Sequence, residues 1–283
     1  VPLHTWLPDA HVEAPTPVSV ILAALLLKIG GYGLLRIAFP IFPDAALHFS
    51  WFVGLMGVIS IIYGGLNALA CKDLKRMIAY SSISHMGFVL LGTASLTTEG
   101  IAGSVYQMVS HGIISAMLFL IAGVLYDRTQ DRTIGNYSGL STKMKSYTAV
   151  VVVAFFASMG LPGFSGFIAE IMVFLGAFKS NSVNGLLHES LAIVATLGLV
   201  FGAAYYLWTL QRMFFGPFNL KGGILESSIV DLNKREYLML VPLAIATIFF
   251  GVIPQPLMDL IDPFAKQFSE FMINSGKSLT LNP

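Results

Sequence analysis

Residues 17–39, PVSVILAALLLKIGGYGLLRIAF from Pro17 to Phe39, decide the fold. The stretch is long enough to cross a bilayer, which takes about 20 mostly apolar residues. Lys28 sits near its middle. An ammonium at the midplane of a membrane helix costs roughly 2.5–3.5 kcal/mol on insertion scales. Each end of the span lies about 10 residues away, or ~15 Å at ~1.5 Å per residue, which is too far for a lysine to snorkel comfortably. A chain that carries this charge has a use for it.

Working outward, the same texture recurs. The 283 residues are 55% hydrophobic and 11% charged, with mean hydropathy +0.77. Soluble domains carry roughly 25% charged residues, so the composition implies an all-α, polytopic transmembrane bundle. Further spans are expected at 52–70, 77–96, 101–126, 147–178, 191–213 and 237–253, making seven. The second has a small-residue face of Gly54, Gly57, Gly64 and Gly65 that lets backbones approach closely. The fifth is too long for one straight helix, and LPGFSGF from Leu161 to Phe167 interrupts it. Pro162 removes a backbone donor there, and Gly163 and Gly166 relax the helix. A broken membrane helix is tolerated only where it is buried or lines a polar cavity, and such breaks mark the ion sites of transporters.

Residues 1–16, with His4, Asp9, His11 and Glu13, read as the end of one membrane element and the loop into the next. Residues 257–274 place apolar side chains at helical spacing, the pattern of a helix lying in the interface. The whole of 1–283 reads as one transmembrane domain. The chain starts at Val1 without a signal peptide, and the simplest expectation is the C-terminal part of a longer protein.

Basic residues test the topology. Lys72, Lys75, Arg76, Arg128, Arg132, Lys143, Lys145, Arg212, Lys221, Lys234 and Arg235 fall in loops on one side, against Arg36, Lys179, Lys266 and Lys277 on the other. The positive-inside rule puts residues 71–76 in the cytoplasm or matrix.

The single Cys71 excludes an internal disulfide, a multi-cysteine zinc site and a self-contained iron–sulfur cluster. There is no GxGxxG, P-loop or HExxH motif, so neither a nucleotide site nor a metal site is expected. Nothing in the chain points to nucleic acid.

Four ionisable residues stand out inside the spans: Lys28, His85, His111 and Glu170. His111 belongs to a polar stripe with Ser104, Gln107 and Ser115 at three- and four-residue steps. His85 has Ser81, Ser82 and Ser84 within a turn. Glu170 follows the break, where exposed amides and the dipole of a half-helix favour a carboxylate. A lysine, a glutamate and two histidines among apolar helices are the ingredients of a proton relay.

Four motifs carry a resemblance: HTWLPDAHVEAPTPVSVILAALLLKIGGYGLLR (4–36), DLKRMIAYSSISHMGF (73–88), QMVSHGI (107–113) and GLPGFSGFIAE (160–170). Together they resemble the antiporter-like subunits of respiratory complex I, the proton-translocating NADH:quinone oxidoreductase, and the resemblance covers essentially the whole chain. It implies a fourteen-helix subunit of two inverted repeats, each with a broken helix, of which this chain supplies the last seven helices. It also implies a charged string along the mid-membrane plane. Lys28 matches the family's central lysine, Glu170 the terminal ionisable residue on the second broken helix, and His85 and His111 the histidines of the connecting path. The sister L- and N-type subunits usually carry lysine at the terminal place, so glutamate favours the M type.

The resemblance further implies the other membrane-arm subunits, especially the L and N types, and the lipid bilayer as partners. NADH, FMN, iron–sulfur clusters and quinone belong to other subunits, so no cofactor is expected on this chain. The expected location is a bacterial inner membrane, or alternatively the mitochondrial inner membrane. An Mrp-type cation/proton antiporter subunit and a membrane-bound hydrogenase subunit share the ancestry and are the alternatives.

Overall fold

The computed structural model describes residues 1–280. Its helices are α1 (Trp6–Glu13), α2 (Thr16–Ile41), α3 (Pro43–Ala70), α4 (Leu74–Ser95), α5 (Thr98–Thr129), α6 (Lys145–Ser158), α7 (Ser165–Val183), α8 (Glu189–Phe214), α9 (Lys234–Val252) and α10 (Gln255–Thr280). Among the described residues, α2–α5 and α7–α9 are seven helices long and apolar enough to cross a membrane. The 14-residue α6 precedes α7, and the two halves make the broken fifth span.

Helix starts follow side-chain chemistry. Asp73 accepts the Arg76 amide to open α4, and Thr97 accepts the Gly100 amide to open α5. Asn233 and Glu236 form a reciprocal capping box at the start of α9. The start of α6 is capped from a distance: Asp231 accepts the amides of Ser146 and Tyr147, both at 2.9 Å. Arg128 adds a 2.7 Å ion pair with Glu236 and donates to the Asp231 carbonyl, fastening this loop to the end of α5.

The small-residue face of α3 lets α4 pack against it at backbone distance. A Cβ at Gly64 would lie 2.7 Å from the Ser84 nitrogen and 2.9 Å from the Tyr80 oxygen. α4 and α5 form the buried centre of the bundle, while α2 lies at its periphery with Leu25, Ile29 and Tyr32 exposed. A two-stranded antiparallel ribbon, β1 (Tyr137–Ser138) with β2 (Asn219–Leu220), joins two loops at the basic end.

Three expectations need adjusting. The break between α6 and α7 occupies residues 159–164 instead of 161–167. α6 ends at Ser158, Gly160 turns the chain with a φ of +67°, and the break closes before Ser165, so Gly166 and Phe167 are already helical. α3 starts at Pro43, nine residues before the apolar run expected at 52, because a proline at the first turn is compatible with a helix. The tail helix α10 is longer than 257–274. Its Ile261, Ala265, Phe268 and Met272 pack against Leu35, Leu96, Ile101 and Tyr106 at the end of the bundle opposite the basic loops.

Candidate proton-transfer site

Lys28 lies just after a π-helical turn, Leu22–Leu26, in α2. Wide turns of this kind are rare and recur at functional sites. The Lys28 ammonium donates to the Ala23 carbonyl inside that turn, which draws it back toward the start of α2. Its other neighbour is on α5: Nζ is 2.7 Å from Nδ1 of His111. The near approach of the two helices is permitted by Gly112, where a Cβ would lie 3.1 Å from the Ala24 carbonyl. On its open side Lys28 borders an apolar groove of about 600 Å³, shared with Ala24, Leu25, Tyr32, Met108 and Leu243.

From His111 the line continues inward. The His85 ring on α4 lies 5.2 Å from the His111 ring, centroid to centroid. His85 Nδ1 is 3.7 Å from Oε1 of Glu170 on α7. Gln107 reaches the same Nδ1 with its amide nitrogen at 3.4 Å. His85, His111, Gln107 and Glu170 are all buried, so their interactions are little screened by solvent. Beside them lies a cavity of about 10 Å³, lined by Ser84, His85, Ser158, Glu170 and Tyr205 among others. That is about one probe sphere, room for a single water.

Lysine, two imidazoles and a carboxylate are thus contributed by four different helices to one line. Residues 1–197 match the family described as NADH:quinone oxidoreductase/Mrp antiporter, TM. The chain belongs to this family. It is 46% identical over 261 residues to NADH-ubiquinone oxidoreductase chain 4 of Chondrus crispus, covering 92% of this chain and 51% of that protein. It is 45% identical over 260 residues to NADH-quinone oxidoreductase subunit M of Rickettsia conorii, again covering 92% and 51%. Among solved structures, respiratory complex I from Thermus thermophilus with bound NADH contains a similar chain, with TM-score 0.87 at 33% identity over 96% of this chain and 55% of that one. The chain spans about half the length of the curated relatives it matches.

In this family member the polar residues expected to support the line divide into two groups. Ser81, Ser84 and Gln107 reach it. Ser81 accepts a hydrogen bond from the Tyr206 hydroxyl at 3.0 Å, and that hydroxyl is 2.7 Å from Ser158 Oγ, which is 3.1 Å from Nε2 of His85. Ser84 lines the small cavity, although its hydroxyl is committed to the Ile61 carbonyl of α3. Ser115 does not reach the line, since it donates to Gly112 within its own helix. Among the described residues, no group of three or more His, Cys, Asp or Glu is arranged to hold a metal ion.

The half-helix dipole is not what holds Glu170, contrary to the expectation. α7 starts at Ser165, which places Glu170 in the second turn, beyond the reach of a terminal dipole that fades within the first. The turn that precedes the helix lies close against its carboxylate, whose nearest polar partner is His85. A Cβ at Gly160 would meet Oε2 of Glu170 and press on its carboxyl carbon, and the φ of +67° there favours glycine, so this turn closes over the acid with least strain as it stands.

Ser158, Tyr205 and Tyr206 are the members of the site that sequence reading missed. Their hydroxyls sit in apolar runs on α6 and α8, and only packing brings them to a histidine 73 residues from Ser158 in the chain. The one available signal was the tandem Tyr205-Tyr206 in an otherwise aliphatic span, since buried tyrosine hydroxyls seek partners.

Proposed function

We propose that the chain belongs to a proton-translocating membrane-arm subunit of an NADH:quinone oxidoreductase, of the M type, and that it moves protons along Lys28, His111, His85 and Glu170. The observation that carries this reading is the buried polar series from Lys28 at 2.7 Å to His111, on to the His85 ring at 5.2 Å between centroids, and 3.7 Å further to Glu170. No step in the line needs a metal or an organic cofactor. A proton enters on Lys28 or His111, the two imidazoles take it up and release it at separate ring nitrogens, and Glu170 receives it. The longer gaps are spanned by water, for which the cavity beside Glu170 has room.

On this reading redox chemistry, with its NADH, FMN, iron–sulfur and quinone sites, resides in other subunits, and L- and N-type subunits are the neighbours in the membrane. The host membrane is a bacterial inner membrane or the mitochondrial one, with the basic loops on the cytoplasmic or matrix side. A gradient of 100 mV opposes each proton by about 2.3 kcal/mol, so moving it through several closely spaced sites divides the climb.

The family's description also includes Mrp antiporters, which gives a second reading: cation/proton exchange without electron transfer. Purification of the native assembly and reconstitution into vesicles separates the two. Proton uptake driven by NADH oxidation supports the complex I reading. Sodium–proton exchange without NADH oxidation establishes the Mrp one.

A further inference from the structure

Arg212 lies in the last turn of α8, at the basic end of the bundle, and belongs to none of the contacts above. Arg76, Arg128 and Arg132 at the same end are paired with the carboxylates of Asp9, Glu236 and Asp73. The partner of Arg212 is instead a ring, since its guanidinium carbon lies 4.2 Å from the centroid of Trp208, one turn earlier. Stacking uses the flat face of a guanidinium and leaves its five N–H groups in the plane of the fork. Among the described residues, no ion pair takes them up.

Beside Arg212 is a cavity of about 480 Å³, shared by Trp208, Gln211 and Phe215 with Ser138 and Pro217 of the two loops joined by the ribbon. Among the described residues, no acidic side chain lines it. Its far wall is fixed without help from Arg212. Ser138 pairs with Asn219 across the β1–β2 ribbon, and Ser138 Oγ donates to the Pro217 carbonyl at 2.9 Å. Gly216, with φ +94°, turns the chain from the end of α8 into that wall, a backbone conformation that favours glycine. An arginine with open donors facing a prebuilt wall suits an oxyanion, which a guanidinium grips with two parallel N–H bonds.

The level of the cavity decides which oxyanion fits. Tryptophan favours the membrane–water interface, and Trp208 sits one turn inside the end of α8. Farther into the membrane Leu207, Val200 and Leu197 are exposed at helical spacing along α8. Leu197 and Leu207 are separated by about 15 Å at ~1.5 Å per residue, half of the ~30 Å hydrocarbon core and so the share of one leaflet. Phe215, half exposed, continues the apolar edge beside the cavity. A free phosphate would use the cavity alone, whereas a phospholipid uses the cavity and the apolar stripe together.

We propose that the cavity at Arg212 holds the headgroup phosphate of an anionic phospholipid from the leaflet at the basic end, with an acyl chain lying along Leu207, Val200 and Leu197. Basic pockets at this level of a membrane protein attract anionic headgroups. Arg212 supplies the paired donors, Trp208 holds the guanidinium plane, and Gln211 adds a neutral amide at the rim. The site requires only that the bundle spans a membrane, so it stands or falls separately from the relay.

The test uses the assembled complex containing this chain, in phosphatidylcholine vesicles with a small share of photoreactive phosphatidylglycerol, its reactive group on the acyl chain next to the glycerol. After illumination, mass spectrometry is expected to find the label within residues 197–217 of this chain. The same reactive group on phosphatidylcholine, at equal share, is expected to label those residues far less. Arg212→Gln is expected to bring the phosphatidylglycerol label down to that level. Arg235→Gln, an exposed arginine at the start of α9, is expected to leave it unchanged. Excess inorganic phosphate is expected not to compete.

Equal labelling by the two lipids overturns the proposal, as does full labelling in Arg212→Gln. Displacement by inorganic phosphate replaces the lipid with a free anion, and no label at 197–217 shows that a neighbouring subunit covers this face; either result overturns it too. Should Arg212→Gln fail to assemble, the comparison of the two lipids on the unsubstituted complex decides.

Discussion

Lys28 Nζ and His111 Nδ1 are 2.7 Å apart although they stand 83 residues apart in the chain, one on the peripheral helix α2 and one on the buried helix α5. The pair joins the helix that carries the costly midplane charge to the helices that carry the rest of the polar line. An ammonium and an imidazole at this distance cannot both hold a positive charge comfortably, so a proton gained by one favours release from the other.

Replacing His111 by phenylalanine should therefore cut the line while leaving the bundle packed. The expected outcome is normal assembly with proton movement per electron reduced as in a Lys28 variant. Vesicle acidification measured alongside NADH oxidation checks it.

Gly160→Ala places a methyl group against the Glu170 carboxylate at a residue with φ +67°. The left-handed backbone alone costs about 1–3 kcal/mol for a side chain, and the displaced acid should impair pumping as well. Alanine at Gly163, where φ is +94° but no atom lies within 4 Å of the added carbon, serves as the comparison. It should show the backbone cost without the pumping defect, measured by thermal inactivation and proton movement together.

Gly64→Ala should force α3 and α4 apart, because the added carbon meets the backbone at Ser84 and Tyr80, which has no rotamer to yield. Overpacking of this kind costs roughly 1–3 kcal/mol. A lower midpoint of thermal unfolding in detergent, without change in the proton-to-electron ratio of the surviving complex, is the expected result.

Asp231 caps α6 from a loop outside the spans. Burial alone would raise its pKa, but the amides of Ser146, Tyr147 and Leu232 outweigh that and hold it below the ordinary value of 3.8. A carboxyl depressed in the folded state stabilises above its unfolded pKa, and the contribution is lost as pH falls through the folded value. Asp231→Ala should thus cost about 0.5–2 kcal/mol at neutral pH, the range for a lost cap, and progressively less below pH 3.8. Hydrogen exchange of the Ser146 and Tyr147 amides at the two pH values checks it.

The spans were legible because a bilayer demands long apolar runs, and Lys28, His85, His111 and Glu170 were legible because an ionisable group in such a run is too costly to keep without a use. The edges of the break were less so. Pro162 and Gly163 draw the eye, but the helix already ends at Ser158 and the chain turns at Gly160, whose positive φ lets the turn close over the Glu170 carboxylate ten residues later. Ser115 read as part of the stripe because it shares a helical face with His111, yet its hydroxyl returns to its own backbone. Ser158 and Tyr206 carry no periodic signal, since each acquires its place through packing between distant helices.

The relay stands or falls on protons passing through Lys28. The most direct measurement is the number of protons moved per electron in the assembled complex with Lys28→Ala, compared with Ile29→Ala, its exposed neighbour on α2. The Ile29 variant is expected to match the unmodified complex, and the Lys28 variant to assemble but move fewer protons per electron. An unchanged ratio in a fully assembled Lys28→Ala complex would remove Lys28 from the proton path.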